Sequence, residues 1–184
     1  LLPEAMRAVR PGLAEVRVWS RRREAAETLA AAWRADAAWA APDPSGSRPS
    51  VAVAADLDAA VREADIVSCA TLATTPLVHG AWLAPGSHLD LIGSFTPAMR
   101  EADAACFAQA RVFVDTAEAL TKDGDVLQAI AEGAFASDRL QGTLADLARG
   151  GAGRRDAAER TLFKSVGNAI EDLAAAEWVV DGQG

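Results

Sequence analysis

His-Leu-Asp-Leu-Ile-Gly-Ser-Phe-Thr-Pro-Ala-Met-Arg-Glu, residues 88–101, is the stretch from which the fold is read. Leu89, Asp90, Leu91 and Ile92 form an alternating run that stops at Gly93-Ser94, and Pro97 forbids a helix before Met99. The stretch therefore reads as a buried strand opening into a shaped loop. Loops at strand ends are where α/β proteins place their chemistry. A glycine there admits a ligand or backbone segment that a side chain would hold off. A plain strand-to-loop exit is the alternative.

Outward from this strand, strands and helices alternate at short spacing. On the N-terminal side, residues 2–9 have helical spacing ended by Pro11-Gly12, and residues 15–19 alternate as a strand. Ser20 is the expected N-cap of an Ala-rich helix over 22–33. Residues 41–50, rich in proline, form a loop before a short strand at 51–53. Asp56 is expected to cap a helix whose Leu57, Ala60, Val61 and Ala64 share one face, and a strand follows at 66–70. On the C-terminal side a helix over 102–110 leads to a strand at 111–115. Short helices are then expected at 116–120, 125–132 and 143–149. A last helix spans 167–180, with Val166, Ala169, Ile170, Leu173 and Val180 on one face. Such alternation predicts an α/β fold, a doubly wound parallel sheet with helices on both faces, because parallel strands require crossover connections.

The 184 residues suffice for one domain with an appendage, and about half are apolar. Acidic residues outnumber basic ones, 26 to 18, which repels nucleic acid and anionic membrane and sets those partners aside. No apolar run reaches the ~20 residues of a membrane span, and no signal peptide is visible. Cys69 and Cys106 fit reduced, buried thiols of a cytoplasmic protein, and no metal-ligand spacing involves them. The chain opens at Leu1-Leu-Pro3 without Met, so its beginning is expected to lie outside this sequence.

Several clusters are candidates for binding. Arg21-Arg22-Arg23 stands where a strand hands over to a helix N-terminus, whose dipole three cations oppose unless an anion relieves them. In dinucleotide-binding folds this strand end carries an acid for a ribose 2′-hydroxyl and neutral or basic residues for a 2′-phosphate. Ser20 and the arginines, with no acid before Glu24, fit the phosphate; a solvated charge cluster is the alternative. The Gly-x-Gly-x-x-Gly loop of such folds is absent. His79 and His88 each stand alone and receive no catalytic role. Asp115, closing a strand, either touches a ligand or caps a helix. Gly150-Gly-Ala-Gly153 resembles a phosphate loop by glycine count only and reads as a surface loop. In Thr161-Leu-Phe-Lys-Ser-Val-Gly167, Ser165 and the amides opening the next helix form a donor cluster suited to an amide or carboxylate, or a simple Ser N-cap.

Taken together, Val16-Arg-Val-Trp-Ser-Arg, Ala64-Asp-Ile-Val, Thr71-Leu-Ala-Thr-Thr-Pro-Leu, Gly80-Ala-Trp-Leu-Ala-Pro-Gly-Ser-His, Gly93-Ser-Phe-Thr-Pro-Ala-Met-Arg-Glu-Ala-Asp, Thr161-Leu-Phe-Lys-Ser-Val-Gly and Glu171-Asp-Leu-Ala-Ala-Ala resemble the ornithine cyclodeaminase/mu-crystallin family along nearly the whole chain. The resemblance implies a Rossmann-type nicotinamide-dinucleotide-binding domain over residues 1–160, incomplete at its start. Residues 161–184 would form a C-terminal segment whose helix returns to an N-terminal homodimerisation and substrate domain with no counterpart here. Ser20, Arg21 and Arg22 would meet the adenosine phosphate, Ala70, Thr71 and Leu72 the middle of the cofactor, and Gly93, Ser94 and Ser165 the nicotinamide side. Phe95 and Val166 would face the substrate.

The resemblance favours NADP(H), with NAD(H) as the other possibility. In the cyclodeaminases an Asp in Gly-Gly-Asp-Cys-Pro-Gly-Lys acts on the substrate amine. Aligned on Gly93 and Pro97, that Asp becomes Phe95, which exchanges no proton. The expected activity is therefore NADPH-dependent reduction of a small cyclic imino acid, a ketimine or pyrroline-2-carboxylate, or a related amino-acid dehydrogenation. A cyclodeaminase with bound NAD and a non-catalytic, NADP-regulated binding protein are the alternatives.

Overall fold

Parallel strand pairing organises the computed structural model, which describes residues 2–42, 46 and 48–182 in two compact units, 1–60 and 61–184. The first unit runs through α1 (Leu2–Val9), β1 (Glu15–Val18), α2 (Arg23–Ala35), α3 (Ala37–Ala40) and β2 (Ser50–Val53). Strands β1 and β2 pair in parallel, with Val16 opposite Val51 and Val18 opposite Val53. The small side chains of Ala26 and Ala30, one turn apart on α2, are buried with Val18, Val51 and Trp39, and Trp33 stacks on Trp39 at 5.8 Å.

Ser20 does not cap α2. The helix begins after Arg22, which makes no side-chain capping bond, and the Ser20 hydroxyl accepts the Arg22 amide at 3.3 Å two residues earlier. The chain turns sharply at Ser20, so its oxygen bonds the turn and not the helix. Of the loop expected at 41–50, residues 43–45 and 47 lie outside the described residues, as does Leu1.

Helix α4 (Leu57–Arg62) falls at the division between units, and Asp56 Oδ1 accepts the Ala59 amide at 3.0 Å, the expected cap. The second unit continues with β3 (Ile66–Cys69), a single 3-10 turn at Gly80–Trp82, β4 (His88–Leu91), α5 (Ala104–Ala108), β5 (Ala110–Val114), α6 (Ala119–Lys122) and α7 (Gly124–Ala131). A second 3-10 turn, Ser137–Arg139, precedes β6 (Gly142–Thr143), α8 (Leu144–Ala148), β7 (Arg160–Lys164) and α9 (Ala169–Asp181). Its five strands lie in the order β3-β4-β7-β5-β6, every pair parallel. This is the expected α/β class of the Rossmann type.

The last strand in sequence is the central one in space. Strand β7 inserts between β4 and β5, with Leu162 opposite both Leu89 and Val112. It was not among the strands expected from the sequence. Its apolar run, Leu162-Phe163, is only two residues long and ends in Lys164, which breaks the usual signature of a buried strand. The division expected after residue 160 falls one residue into β7, so residues 161–164 belong to the sheet. The last helix also starts later than expected, at Ala169, with Asn168 as its N-cap. It buries none of its residues, and Ile170, Leu173, Trp178 and Val180 stay exposed.

The core of the second unit is built on β4, β7 and β5, where Leu89, Leu91, Leu162, Val112 and Val114 are all but inaccessible. Helix α5 packs on β5 and α7, bringing the Phe107 ring within 5.9 Å of Phe135. Among the described residues no helix is long and apolar enough to cross a membrane. Leu162→Ala should open a cavity at the middle of the sheet and lower stability by about 2–5 kcal/mol, measured by urea unfolding.

Candidate functional site

Strands β3, β4 and β7 are neighbours, and their last residues, Cys69, Leu91 and Lys164, are in register. Three loops therefore leave the same end of the sheet side by side. They carry Ala70, Thr71 and Leu72, then Gly93, Ser94 and Phe95, then Ser165 and Val166. The topology gathers all eight second-unit residues expected at a cofactor and substrate site. Their exposure differs: Leu72 is 73% exposed and Phe95 49%, whereas Ser94 is fully buried.

The first two loops are tied together by one carboxylate. Glu101, buried at the end of the quoted stretch, accepts the Thr71 amide at 2.6 Å and its hydroxyl at 2.8 Å on Oε1. Its Oε2 accepts the Gly93 amide at 2.8 Å and the Ser94 amide at 3.3 Å. Four donors on one carboxylate satisfy it without solvent. A Cβ on Gly93 would sit 2.1 Å from the Thr71 carbonyl oxygen and 2.3 Å from Glu101 Oε1. Of the two reasons for a glycine here, the close approach of the protein's own backbone is therefore present.

A second set of buried charges fixes Ser94. The Lys164 ammonium, with no exposure, donates to the Ser94 carbonyl at 2.5 Å and lies 3.2 Å from Asp123 Oδ2 and 3.8 Å from Asp125 Oδ2. The Ser94 hydroxyl donates to Asp123 Oδ2 at 2.6 Å. Asp123 Oδ1 caps α7 through the Val126 amide, and Asp125 Oδ1 takes the amides of Glu101 and Ala102. Burial pushes the carboxyls of Asp123 and Asp125 upward, the latter from 3.8 to about 6. Between the two aspartates Gly124 is obligatory, since a Cβ would lie 2.0 Å from the Met99 carbonyl oxygen. All polar groups of Ser94 are thus held inside the protein, and the loop presents its Phe95 ring outward.

Asp115 is not a helix cap, since the helix that follows begins after Glu118. Its Oδ2 accepts the Ser165 hydroxyl at 3.0 Å and the amides of Val166 and Gly167 at 2.8 Å each, and Oδ1 takes the Thr116 amide at 2.6 Å. The donor cluster read after Lys164 is real and suited to a carboxylate, but the carboxylate comes from β5's own end. Ser165 is not a helix cap, since Asn168 fills that position.

Ser20, Arg21 and Arg22 lie in the first unit, beyond the end of β1. A cleft of about 240 Å³ there is lined by Trp19, Ser20, Arg21, Arg23, Val53 and Ala54 among others. Two guanidinium-bearing residues beside a strand end and a helix start suit an anionic group such as a phosphate. Arg23, the third arginine of the cluster, lines the cleft where Arg22 does not, and it pairs with Glu27 at 2.7 Å.

Both histidines have polar neighbours within the fold. His79 Nδ1 lies 2.9 Å from Asp103 Oδ2, and His88 Nδ1 lies 2.8 Å from the Thr161 hydroxyl. Cys69 and Cys106 are free and buried, and burial pushes both thiols far upward. Among the described residues no group of His, Cys, Asp and Glu is arranged to hold a metal ion. Lys164, Asp123, Asp125 and Glu101 were not singled out in the sequence. Their signals were a lysine closing an apolar run and two aspartates astride a glycine.

The family model of the ornithine cyclodeaminase/mu-crystallin family matches residues 2–183. A Delta(1)-pyrroline-2-carboxylate reductase of Paracoccus denitrificans is 42% identical over 180 residues, 97% of this chain and 54% of that protein. The ketimine reductase mu-crystallin of Rattus norvegicus is 35% identical over 170 residues, 91% of this chain and 47% of that protein. Among solved structures, the Thermococcus litoralis Delta(1)-pyrroline-2-carboxylate reductase in complex with NADH and L-proline superposes with a TM-score of 0.85 at 26% identity, covering 98% of this chain and 55% of that one. The chain thus spans about half the length of the curated relatives it matches.

Because the folded chain holds the Asp125 proton up to about pH 6, against 3.8 ordinarily, the cost of its burial grows as pH rises through that window. Lys164→Met leaves two buried carboxyls without their cation. It should cost about 3–5 kcal/mol near neutral pH and less at about pH 5, where the carboxyls take up protons. Urea unfolding at the two pH values reads the difference; equal losses at both would contradict the assignment of charges.

Proposed function

The chain belongs to the ornithine cyclodeaminase/mu-crystallin family, and on that premise we propose that it is the dinucleotide-binding part of an NADPH-dependent reductase of a small cyclic imino acid. The observation that carries this reading is Phe95, half exposed at the end of β4, where the cyclodeaminases carry an acid. A phenyl ring neither takes a proton from an amine nor holds an ammonium, so it suits reduction of a C=N bond and not loss of ammonia. The names of the relatives, pyrroline-2-carboxylate reductase and ketimine reductase, support the same substrate class.

In this reading the loops at residues 70–72, 93–94 and 165 line the dinucleotide. Phe95 and Val166 border the substrate, and Ser20, Arg21 and Arg22 meet the adenosine 2′-phosphate, with Arg23 beside them. When bound, the nicotinamide supplies the hydride to the imine carbon, and the nitrogen takes a proton from water or from a group outside this chain. The chain's own contribution is orientation. The Glu101 and Lys164 bonds fix the 93–95 loop, so that Phe95 is presented at a set depth and water is displaced from one side of the site. The exposed apolar side chains of α9 would be covered by a further part of the full-length protein, through which it forms a homodimer. Free, buried thiols agree with a cytoplasmic location.

The full-length protein should oxidise NADPH with pyrroline-2-carboxylate or a related cyclic ketimine, followed by loss of NADPH absorbance. Ammonia release from ornithine would restore the cyclodeaminase reading, and ligand binding without turnover the binding-protein reading. Arg21→Glu should raise the KM for NADPH about tenfold or more, the worth of a charge-assisted hydrogen bond, with little change for NADH. Equal losses for both cofactors would sink the 2′-phosphate assignment.

A further inference from the structure

The opposite end of the five-stranded sheet, where β5 and β7 begin, carries an unusual concentration of arginine for a chain of net charge −8. The loop after α8, with its glycines at 150, 151 and 153, delivers Arg154 and Arg155 there. Arg154 is a structural tie, donating to the Ser87 carbonyl at 3.3 Å and the Thr161 hydroxyl at 3.2 Å. Arg155 instead borders a cleft of about 350 Å³ together with Arg111, Arg139, Gln109, Gln141 and Glu159.

Arg111 is the residue in this cleft that the protein leaves incomplete. Its side chain is 15% exposed, with its guanidinium carbon 5.8 Å from the centre of the Phe113 ring. Its Nε is buried and makes no hydrogen bond, and the nearest carboxylate oxygen, Glu159 Oε2, is 3.4 Å away. That carboxylate is already claimed by Arg155. The Arg155 side chain donates to Oε1 at 2.7 and 3.0 Å, and its amide donates to Oε2 at 2.9 Å. Arg139 donates to the carbonyls of Ala134 and Ala108 and has no acidic partner among the described residues. Two guanidinium groups, Arg111 and Arg155, thus share one carboxylate, and Arg139 brings a third positive charge to the cleft. A buried guanidinium nitrogen with no hydrogen-bond acceptor is costly, and the chemistry that completes it is an oxygen carrying negative charge.

We propose that this cleft is a second anion site, taking a small oxyanion of the phosphate class whose oxygens accept from Arg111, with Arg155 and the Gln109 amide at its rim. The site is independent of the proposed reductase reading, because its residues stand at the starts of β5 and β7 and the dinucleotide loops follow the ends of β3, β4 and β7. The glycine run acts by placing Arg155, and not by wrapping a phosphate in its backbone.

The test is calorimetric titration of inorganic phosphate, and in a second arm of a phosphomonoester, into the full-length protein at matched ionic strength. An Arg21→Glu background silences the other arginine cleft. Saturable binding that Arg111→Gln weakens about tenfold or more supports the site, that being the worth of a charge-assisted bond. Arg155→Gln, an exposed change that spares the core, should weaken it as well. Tighter binding of the monoester would identify a phosphorylated molecule as the source, and equal binding the free ion. Absence of saturable binding in the Arg21→Glu background, or binding indifferent to both Arg111→Gln and Arg155→Gln, would overturn the proposal.

Discussion

The ammonium of Lys164, enclosed at the end of the central strand, is the charge around which the candidate site is set. It joins the Ser94 carbonyl of one loop to Asp123 and Asp125 at the start of α7. Asp125 in turn holds the amides at 101 and 102, which place Glu101, and Glu101 gathers the amides at 71, 93 and 94. A chain of charged hydrogen bonds therefore runs from the sheet through a helix start and back to two strand-end loops. Each link is buried or half-buried, so each is strong and intolerant of loss. Loops of such length and polarity otherwise sample many conformations; here the internal charges replace the solvent that would loosen them.

The consequence for chemistry is a division of labour within one loop. Gly93 and Ser94 spend their polar groups on the protein itself, and Phe95, immediately next, spends none. A rigid scaffold built from charge thus offers an apolar face. The neighbouring Leu72, largely exposed on the adjoining loop, extends that apolar character. Orientation of a bound dinucleotide on this end of the sheet would depend on shape and backbone position more than on side-chain hydrogen bonds from Ser94.

Much of this was legible in the sequence because the signals were local. The strand at 88–91, the Asp56 cap, and the alternation that implies parallel strands each depend on a few adjacent residues. What escaped was set by long-range pairing. Strand β7 has only Leu162 and Phe163 as an apolar run, and its burial comes from the strands on either side. Lys164 reads as a surface residue until Asp123, forty-one positions earlier, is known to lie beside it. Ser165 is not the cap it resembled, and its hydroxyl donates to Asp115, just past the end of β5. Gly93 was noticed correctly, yet the carboxylate that makes it necessary is Glu101, eight residues on and folded back.

Placing the final strand at the centre of the sheet has a bearing on how the molecule is born. During synthesis β4 and β5 emerge long before residues 160–164, so their facing edges wait unpaired, and the pairing that closes the sheet is of high sequence separation. The electrostatics follow the same schedule. Asp123 and Asp125 precede their cation, so the loop network cannot ionise favourably in the interior until the C-terminal strand docks. Arrival of Lys164 completes the hydrogen-bonded sheet and the charge balance together, which makes the ordering of the loops a late event in the life of the nascent chain.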